Sequence, residues 1–192
     1  MNNKGEETKK MIKEKACSLF ARKGFKNVTM KDICIETGLS RGGLYRHYDS
    51  TQQIFLEIID GLMNAQDNEF SEKMEKGDSA VEILEEVLER YKVEMLDSEG
   101  SLRLAIYEFY SEIQTNKKEN MLLKQYEYSV DMWKDFIAYG VKRGEFRVVD
   151  SSELVDIILF SYQGVRMLSE IFLMDEKVPE RIVNHIRREL LA

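Results

Sequence analysis

The most chemically suggestive stretch of the sequence is a short run near residue 40 that combines a hydroxyl, a guanidinium and two glycines. Ser40 and Arg41 come first, and Gly42 and Gly43 follow. The polar side chains after them are Tyr45, Arg46 and His47. Arginine can read guanine through two hydrogen bonds, and hydroxyl and imidazole groups can donate to phosphate oxygens. Because glycine has no side chain, the backbone here can approach a bound molecule closely. The run is therefore typical of a surface that contacts nucleic acid.

Two short helices joined by a glycine turn are expected to hold this run. Thr29 can cap the first helix through its hydroxyl, and Asp32 follows in the first turn, where the helix dipole favours an acid. Gly38 ends that helix, and Ser40 can cap a second one that is expected to extend through Tyr48. This is the geometry of a helix-turn-helix, whose second helix enters the major groove of DNA.

Helices on either side would complete a small N-terminal domain. Apolar residues at helical spacing predict a first helix over residues 6–23. Ser50 and Gln53 form a capping-box pattern, so a fourth helix is expected to start near residue 51. We therefore place a helix-turn-helix domain at residues 1–50 and a larger helical domain at residues 51–192, linked by this fourth helix.

Composition favours an all-α fold. The 192 residues include one proline and 11 glycines, which leaves long stretches without a helix-breaking residue. Apolar periodicity along the chain predicts about nine helices in total. The net charge is −7, but residues 1–60 carry 11 Lys and Arg against 8 Asp and Glu, whereas the rest carries 17 against 27. A basic small domain on an acidic body attracts phosphate at one end only.

The N-terminal quarter of the chain resembles a known family. Residues 20–25 (FARKGF) and 28–33 (VTMKDI) resemble the opening of a TetR-type DNA-binding domain. Residues 37–48 (TGLSRGGLYRHY) resemble its turn and recognition helix. The resemblance covers residues 8–59 and includes the order, spacing and type of these residues.

The resemblance implies roles for individual residues. It implies that Thr29 contacts a phosphate, that residues 40–43 face the DNA, and that Tyr45 and His47 bind backbone phosphates. The family usually has a lysine at the start of the fourth helix, and this position is Thr51 here, with Asp49 nearby. One phosphate contact is therefore expected to be weaker. Contacts of this kind set affinity more than specificity, so the prediction of DNA binding stands.

The resemblance further implies that the C-terminal domain binds a small-molecule effector and forms a homodimer through its last two long helices. The residues that could line an effector site are Tyr91, Tyr107, Tyr110, Tyr126, Trp133, Phe136, Gln163 and Arg166. The residues that could form the dimer interface are Ile158, Val165, Leu168, Phe172, Ile182 and Ile186. Aromatic residues at helical spacing also fit an ordinary core, and Arg166 could instead pair with Glu170 one turn later. Both interpretations of these residues stay open.

The sequence argues against an enzyme. Di-iron proteins built on helical bundles use Glu-x-x-His pairs, but neither His47 nor His185 has a glutamate three residues before it. The sequence contains neither a phosphate-loop pattern nor a GxSxG pattern. Cys17 and Cys34 are too few for a zinc site. We therefore expect no catalytic residue, no metal and no cofactor.

The expected function is that of a DNA-binding transcriptional regulator, a repressor released from a palindromic operator by a small molecule. No stretch has the ~20 successive apolar residues of a membrane helix, and the N-terminus lacks the apolar core of a signal peptide, so a cytoplasmic location is expected. The alternative is a TetR-like protein that acts mainly through protein–protein contacts, with a DNA module weakened at Asp49 and Thr51. Such a protein would show no salt-dependent, sequence-specific DNA binding.

Overall fold

A computed structural model describes residues 3–64, 70–97, 100–112 and 120–191 of the chain. The regular secondary structure of these residues is helical, and turns and loops join the helices. No strand occurs within these residues, which confirms the all-α prediction. The helices there are α1 (Asn3–Lys23), α2 (Met30–Thr37), α3 (Arg41–Tyr45), α4 (Thr51–Asn64), α5 (Ser71–Lys76), α6 (Ala80–Glu94), α7 (Arg103–Glu112), α8 (Met121–Lys142), α9 (Ser151–Ser169) and α10 (Lys177–Leu190). The short α5 accounts for the difference from the nine that were expected.

Local signals set the ends of α2 and α3. Thr29 Oγ1 accepts a hydrogen bond from Asp32 N at 3.2 Å, and Asp32 Oδ2 accepts one from Thr29 N at 2.9 Å, which is a reciprocal capping box. Gly38 follows α2 with φ 71°, a conformation that glycine adopts without steric cost. α3 ends earlier than expected, because the N–H groups of His47 and Tyr48 both bond to the same carbonyl and form a turn.

One compact unit comprises Met1–Gln66 and Glu99–Thr115. Four buried phenylalanines form the centre of its core, with neighbouring ring centroids 4.7–5.8 Å apart. They are Phe20, Phe25, Phe55 and Phe109. This unit extends beyond the expected division at residue 50, because α4 and α7 both bury their apolar faces against α1.

The second compact unit comprises Asp67–Ser98 and Asn116–Ala192. α9 packs against α8 and α10, and α6 packs against the same two helices. Trp133 and Phe136 are fully buried in the resulting core. Arg187 of α10 forms ion pairs with two glutamates of α6 at 2.6 and 2.7 Å, which joins the last helix to α6.

The described residues offer little sign of redox or metal chemistry. They contain no group of three or more side chains placed to bind a metal ion. Cys17 and Cys34 are free, half-buried thiols, and burial raises the pKa of Cys17. None of the described helices is both long enough and apolar enough to span a membrane.

Candidate DNA interface

α3 is held to its unit by two buried side chains. Leu44 is 0% exposed and Tyr48 is 1% exposed. The Tyr48 hydroxyl also donates a hydrogen bond to Glu57 Oε2 of α4 at 2.9 Å. The anchored side of α3 is therefore fixed to α4, and the opposite side of the short helix faces outward.

Seven of the nine residues that the sequence predicted as DNA contacts lie in α3 and the residues that flank it, whereas Thr29 and Thr51 lie at the starts of α2 and α4. Tyr45 is 40% exposed, and the Arg41 guanidinium lies 5.5 Å from the centroid of its ring. A cation–π contact of this kind limits where the guanidinium can go. The other exposed or half-buried members of the predicted set are Ser40, Gly42, Gly43, Arg46 and His47.

The two glycines of α3 differ in their surroundings. A Cβ at Gly42 would meet nothing within 4 Å, so the bare backbone there is open to an approaching molecule. A Cβ at Gly43 would lie 3.2 Å from Ser40 Oγ, the atom that caps α3 by accepting a hydrogen bond from Gly43 N at 3.1 Å. Gly42 therefore leaves outward space, whereas Gly43 leaves room for the helix cap.

Thr29 is exposed at the start of α2, but its hydroxyl already has a partner. It donates to Asp32 Oδ2 at 2.5 Å. Hydrogen bonds from Thr29 and Lys23 hold the pKa of Asp32 well below its usual range. A phosphate that contacts Thr29 would therefore lie next to the carboxylate of Asp32.

The start of α4 offers no cation. Gln53 N donates to Ser50 Oγ at 3.2 Å, so Ser50 caps the helix as predicted, but Gln53 Oε1 accepts from Asp49 N at 2.9 Å rather than from Ser50 N, and the reciprocal half of the capping box is displaced by one residue. Thr51 is the first residue of the helix and is half-buried. At this position the chain therefore presents a hydroxyl where an ammonium group was expected from the family pattern.

Part of the positive charge in this unit is paired with carboxylates. The pairs are Arg22–Glu36 at 3.2 Å, Lys23–Asp32 at 3.0 Å and Lys26–Glu112 at 3.0 Å. Lys31, Arg41 and Arg46 are exposed, and within the described ranges none of them has a carboxylate oxygen within 4 Å. Within α2, α3 and the turn after α3, these three side chains are therefore available to phosphate groups.

The eight predicted effector residues divide between the two compact units. Tyr107 and Tyr110 belong to the N-terminal unit, and the other six belong to the second unit. Within the second unit, Tyr91, Trp133 and Phe136 are core residues. Tyr126 is half-buried and donates to Asp156 at 2.7 Å, and Gln163 is exposed.

A smaller polar cluster does form between α6 and α9. The rings of Tyr91 and Tyr162 lie 4.2 Å apart, and the Tyr162 hydroxyl donates to Glu94 Oε2 at 2.5 Å. Burial and this hydrogen bond raise the pKa of Tyr162. The Arg166 guanidinium lies 4.8 Å from the centroid of the Tyr162 ring, and its buried Nε has no hydrogen-bond partner in the described structure. A buried donor of this kind is costly unless a ligand or water pairs with it.

The six predicted interface residues fall into two groups. Ile158, Val165 and Ile186 are buried in the core of their own subunit, so they are not available to a partner. Their spacing is that of a core face, which sequence periodicity cannot distinguish from an interface face. Ile182 is partly buried against the same core. Leu168 and Phe172 are exposed, together with Phe160 and Ile171.

Comparison with known proteins matches two regions of the chain, one near the N-terminus and one that covers most of the later helices. The family profile described as bacterial regulatory proteins of the tetR family matches residues 12–58. The profile described as the C-terminal domain of tetracyclin repressor-like proteins matches residues 83–180. Together they cover the helix-turn-helix and most of the helices after it.

Relatives with similar sequences are described as HTH-type transcriptional regulators or repressors. An uncharacterized HTH-type transcriptional regulator of Bacillus subtilis, YfiR, is 31% identical over 143 residues, a match that covers 72% of this chain and 67% of that protein. The HTH-type transcriptional repressor KstR2 of Rhodococcus jostii is 27% identical, and the match covers 69% of this chain and 64% of that protein, slightly under two thirds of its length. The HTH-type transcriptional regulator QacR of Staphylococcus aureus is 26% identical, covering 87% of this chain and 86% of that protein.

Solved structures have the same fold. A transcriptional regulator from Saccharomonospora viridis, crystallised in complex with choline, superposes with a TM-score of 0.81 at 21% identity, covering 97% of this chain and 99% of the other. A TetR regulator from Chloroflexus aurantiacus superposes with a TM-score of 0.70 at 24% identity, covering 98% and 99%. The chain belongs to the TetR family of bacterial regulatory proteins.

Proposed function

We propose that this regulator binds a palindromic DNA operator as a homodimer, represses transcription from it, and is released by a small-molecule effector. The observation that carries the proposal is the outward side of α3. Its one open glycine, Gly42, lies between the exposed Arg41 and Tyr45. A bare backbone flanked by a guanidinium and a phenol suits close contact with a DNA groove.

The outward side of α3 contains groups for both tasks of operator binding. Arg41 is at the first position of the helix and exposed, which suits contact with a base edge. Tyr45 and the half-buried His47 lie further along and can donate to phosphates. Leu44 and Tyr48 anchor the segment from behind, so these donors are held in fixed positions before DNA arrives.

An exposed apolar face on α9 supports the homodimer. Phe160 is 67% exposed and Leu168 is 43% exposed, and Ile171 and Phe172 extend the face just beyond the helix. Large exposed apolar patches mark association sites in soluble proteins. Two copies related by a two-fold axis would cover this face on each other and present two recognition helices, which matches a palindromic operator.

The cluster of Tyr91, Tyr162, Glu94 and Arg166 supports an effector site in the second unit. It places a donor without a partner, Arg166 Nε, beside aromatic rings in an otherwise apolar core. A bound molecule with an acceptor group could pair with it. The effector can act only if its affinity differs between the DNA-competent and released states.

The test is selection of genomic DNA fragments on the purified full chain, followed by sequencing. Enrichment of one palindromic sequence is the expected result. Tyr45→Ala should lose the enrichment, whereas Tyr128→Ala should keep it, because Tyr128 is equally exposed, at 42%, but belongs to the second unit. No enriched sequence, or equal enrichment with both variants, would contradict the proposal.

One observation favours the second candidate, a regulator that works mainly through another protein. Arg22, Lys23 and Lys26 are each paired with a carboxylate, and Thr51 provides no positive charge at the start of α4. A DNA module with few free cations would bind duplex DNA weakly. If the selection recovers no sequence and the chain instead captures a defined protein, this second function replaces the first.

A further inference from the structure

We propose that Lys9 of α1 is a DNA phosphate-binding residue that supplies the positive charge missing at Thr51. The proposal rests on the proposed function, because it adds one backbone contact to the same DNA interface. Neither the family pattern quoted above nor the spacing of the helix-turn-helix assigns Lys9 a role. Two contacts hold its ammonium group beside the recognition segment.

Lys9 lies over the aromatic ring that ends the recognition segment. Its Nζ is 5.3 Å from the centroid of the Tyr48 ring. The same Nζ is 3.8 Å from Glu57 Oε1, and Lys13 Nζ is 3.9 Å from Glu57 Oε2. Because Tyr48 ends the segment that contains the predicted DNA contacts, these contacts place the ammonium group beside the end of that segment. Lys9 therefore lies at the recognition end of the unit.

The opposite end of α1 has a different partner. Lys26 N, just beyond α1, donates to Glu108 Oε2 of α7 at 3.2 Å. α1 has 21 residues, so at 1.5 Å per residue it is about 30 Å long. The α7 contact is thus far from Lys9, and the two ends of the helix have different partners. The Lys9 end meets the segment after α3, whereas the far end meets α7.

The charges around Lys9 leave its ammonium group able to exchange partners. Two lysines share the single carboxylate of Glu57, and the Lys9 side chain is 35% exposed. Ion pairs of such length and exposure contribute little to stability. A phosphate must therefore compete with the Glu57 carboxylate for Lys9. A phosphate group that arrives on DNA can win this competition, because binding also releases the counterions condensed on the duplex.

Tyr48 and Glu57 act as positioning residues in this arrangement. Burial and the hydrogen bond to Glu57 both raise the pKa of Tyr48, so its hydroxyl stays protonated and bonded to the carboxylate. The ring therefore keeps one orientation beneath Lys9. Neither side chain needs to touch DNA for Lys9 to reach it.

The test measures the salt dependence of binding to a mixed-sequence DNA duplex, since phosphate contacts do not depend on sequence. Lys9→Gln is expected to lower the slope of log affinity against log salt by about 0.9 for each subunit bound. Lys10→Gln is the matched control, because Lys10 is 78% exposed and paired with Glu14 on the same helix. Lys9→Arg keeps the charge and should keep the slope.

A second variant tests the competition directly. Glu57→Gln retains an acceptor for the Tyr48 hydroxyl but removes the negative charge beside Lys9. At low salt this variant should therefore bind the duplex more tightly than the native chain does. Equal slopes for Lys9→Gln and Lys10→Gln would overturn the inference, as would unchanged or weaker binding by Glu57→Gln. If the native chain itself bound duplex DNA without any dependence on salt, the proposed function would fail instead.

Discussion

Replacing Gly42 with alanine should strengthen the fold and weaken DNA binding at the same time. The added Cβ meets no atom within 4 Å, and Gly42 is not among the glycines with positive φ. Alanine is favoured over glycine inside a helix by up to about 1 kcal/mol. At a position that accepts the backbone conformation, the usual gain in the free energy of unfolding is about 0.4–1 kcal/mol. We expect a gain in this range for Gly42→Ala.

The same methyl group should reduce affinity for the operator. It projects from the outward side of α3 into space that the bare backbone leaves open. A base contact that is lost or stretched costs about 1–3 kcal/mol. Since 1.4 kcal/mol corresponds to a factor of ten, Gly42→Ala should bind the operator about tenfold more weakly, or worse.

Gly43→Ala is the matched control, because this substitution at the neighbouring glycine is expected to change the free energy of unfolding in the opposite direction. Its Cβ would lie 3.2 Å from Ser40 Oγ and press on the hydroxyl that caps α3. Loss of an N-cap costs about 0.5–2 kcal/mol. Gly43→Ala should therefore lower the free energy of unfolding, whereas Gly42→Ala should raise it.

Urea unfolding followed by circular dichroism measures the stability of both variants, and fluorescence anisotropy with the selected operator measures their affinity. The diagnostic result is a variant at position 42 that is more stable than the native chain but binds DNA less tightly. A Gly42→Ala protein that bound the operator like the native chain would refute the assignment of this backbone to the DNA surface.

Three further changes test other parts of the structure. Phe109→Ala should destabilise the N-terminal unit by about 3–5 kcal/mol, because this α7 side chain is 0% exposed in the core of that unit. The amides of α2 should then exchange their hydrogens faster with solvent. Unchanged exchange would exclude α7 from the unit. Phe160→Glu should convert the dimer to a monomer in sedimentation, whereas Val148→Glu, at an exposed loop position, should not. Hydrogen bonds from Arg143 and then Ser79 lower the pKa of Glu145 to about 2, below its ordinary 4.5. The stabilisation of the folded state by the ionised Glu145 is therefore fully present above pH 4.5 and is lost as the pH falls towards 2. Melting temperatures should differ between Glu145→Gln and the native chain at neutral pH and converge in that acid window; a constant difference would contradict this.

The sequence predicted those parts of the interface that depend on local signals. The caps at Thr29, Ser40 and Ser50 are each formed by a side chain and a backbone N–H within three residues. Such contacts follow from residue type and spacing alone. The exposed side of α3 follows similarly, since Leu44 and Tyr48 are spaced to be buried together. The all-α fold was predictable for the same reason.

Long-range burial was not predictable in this way. Phe109 packs against Phe25 at 4.9 Å, although 84 residues separate them, so α7 joins the N-terminal unit across a large distance in sequence. The spacing of Ile158 and Val165 fits a core face and an interface face equally well, and only the packing of α9 decides between them. The pairing of Lys26 with Glu112 likewise depends on tertiary structure.

The central claim is that α3 reads a specific DNA sequence, and the most direct measurement is an anisotropy titration of the native chain at two salt concentrations. One duplex carries the selected palindrome, and the other carries the same bases in scrambled order. We expect the palindrome to bind at least about a thousandfold more tightly, and both affinities to fall as salt rises. Equal affinity for the two duplexes would contradict sequence-specific recognition by this chain.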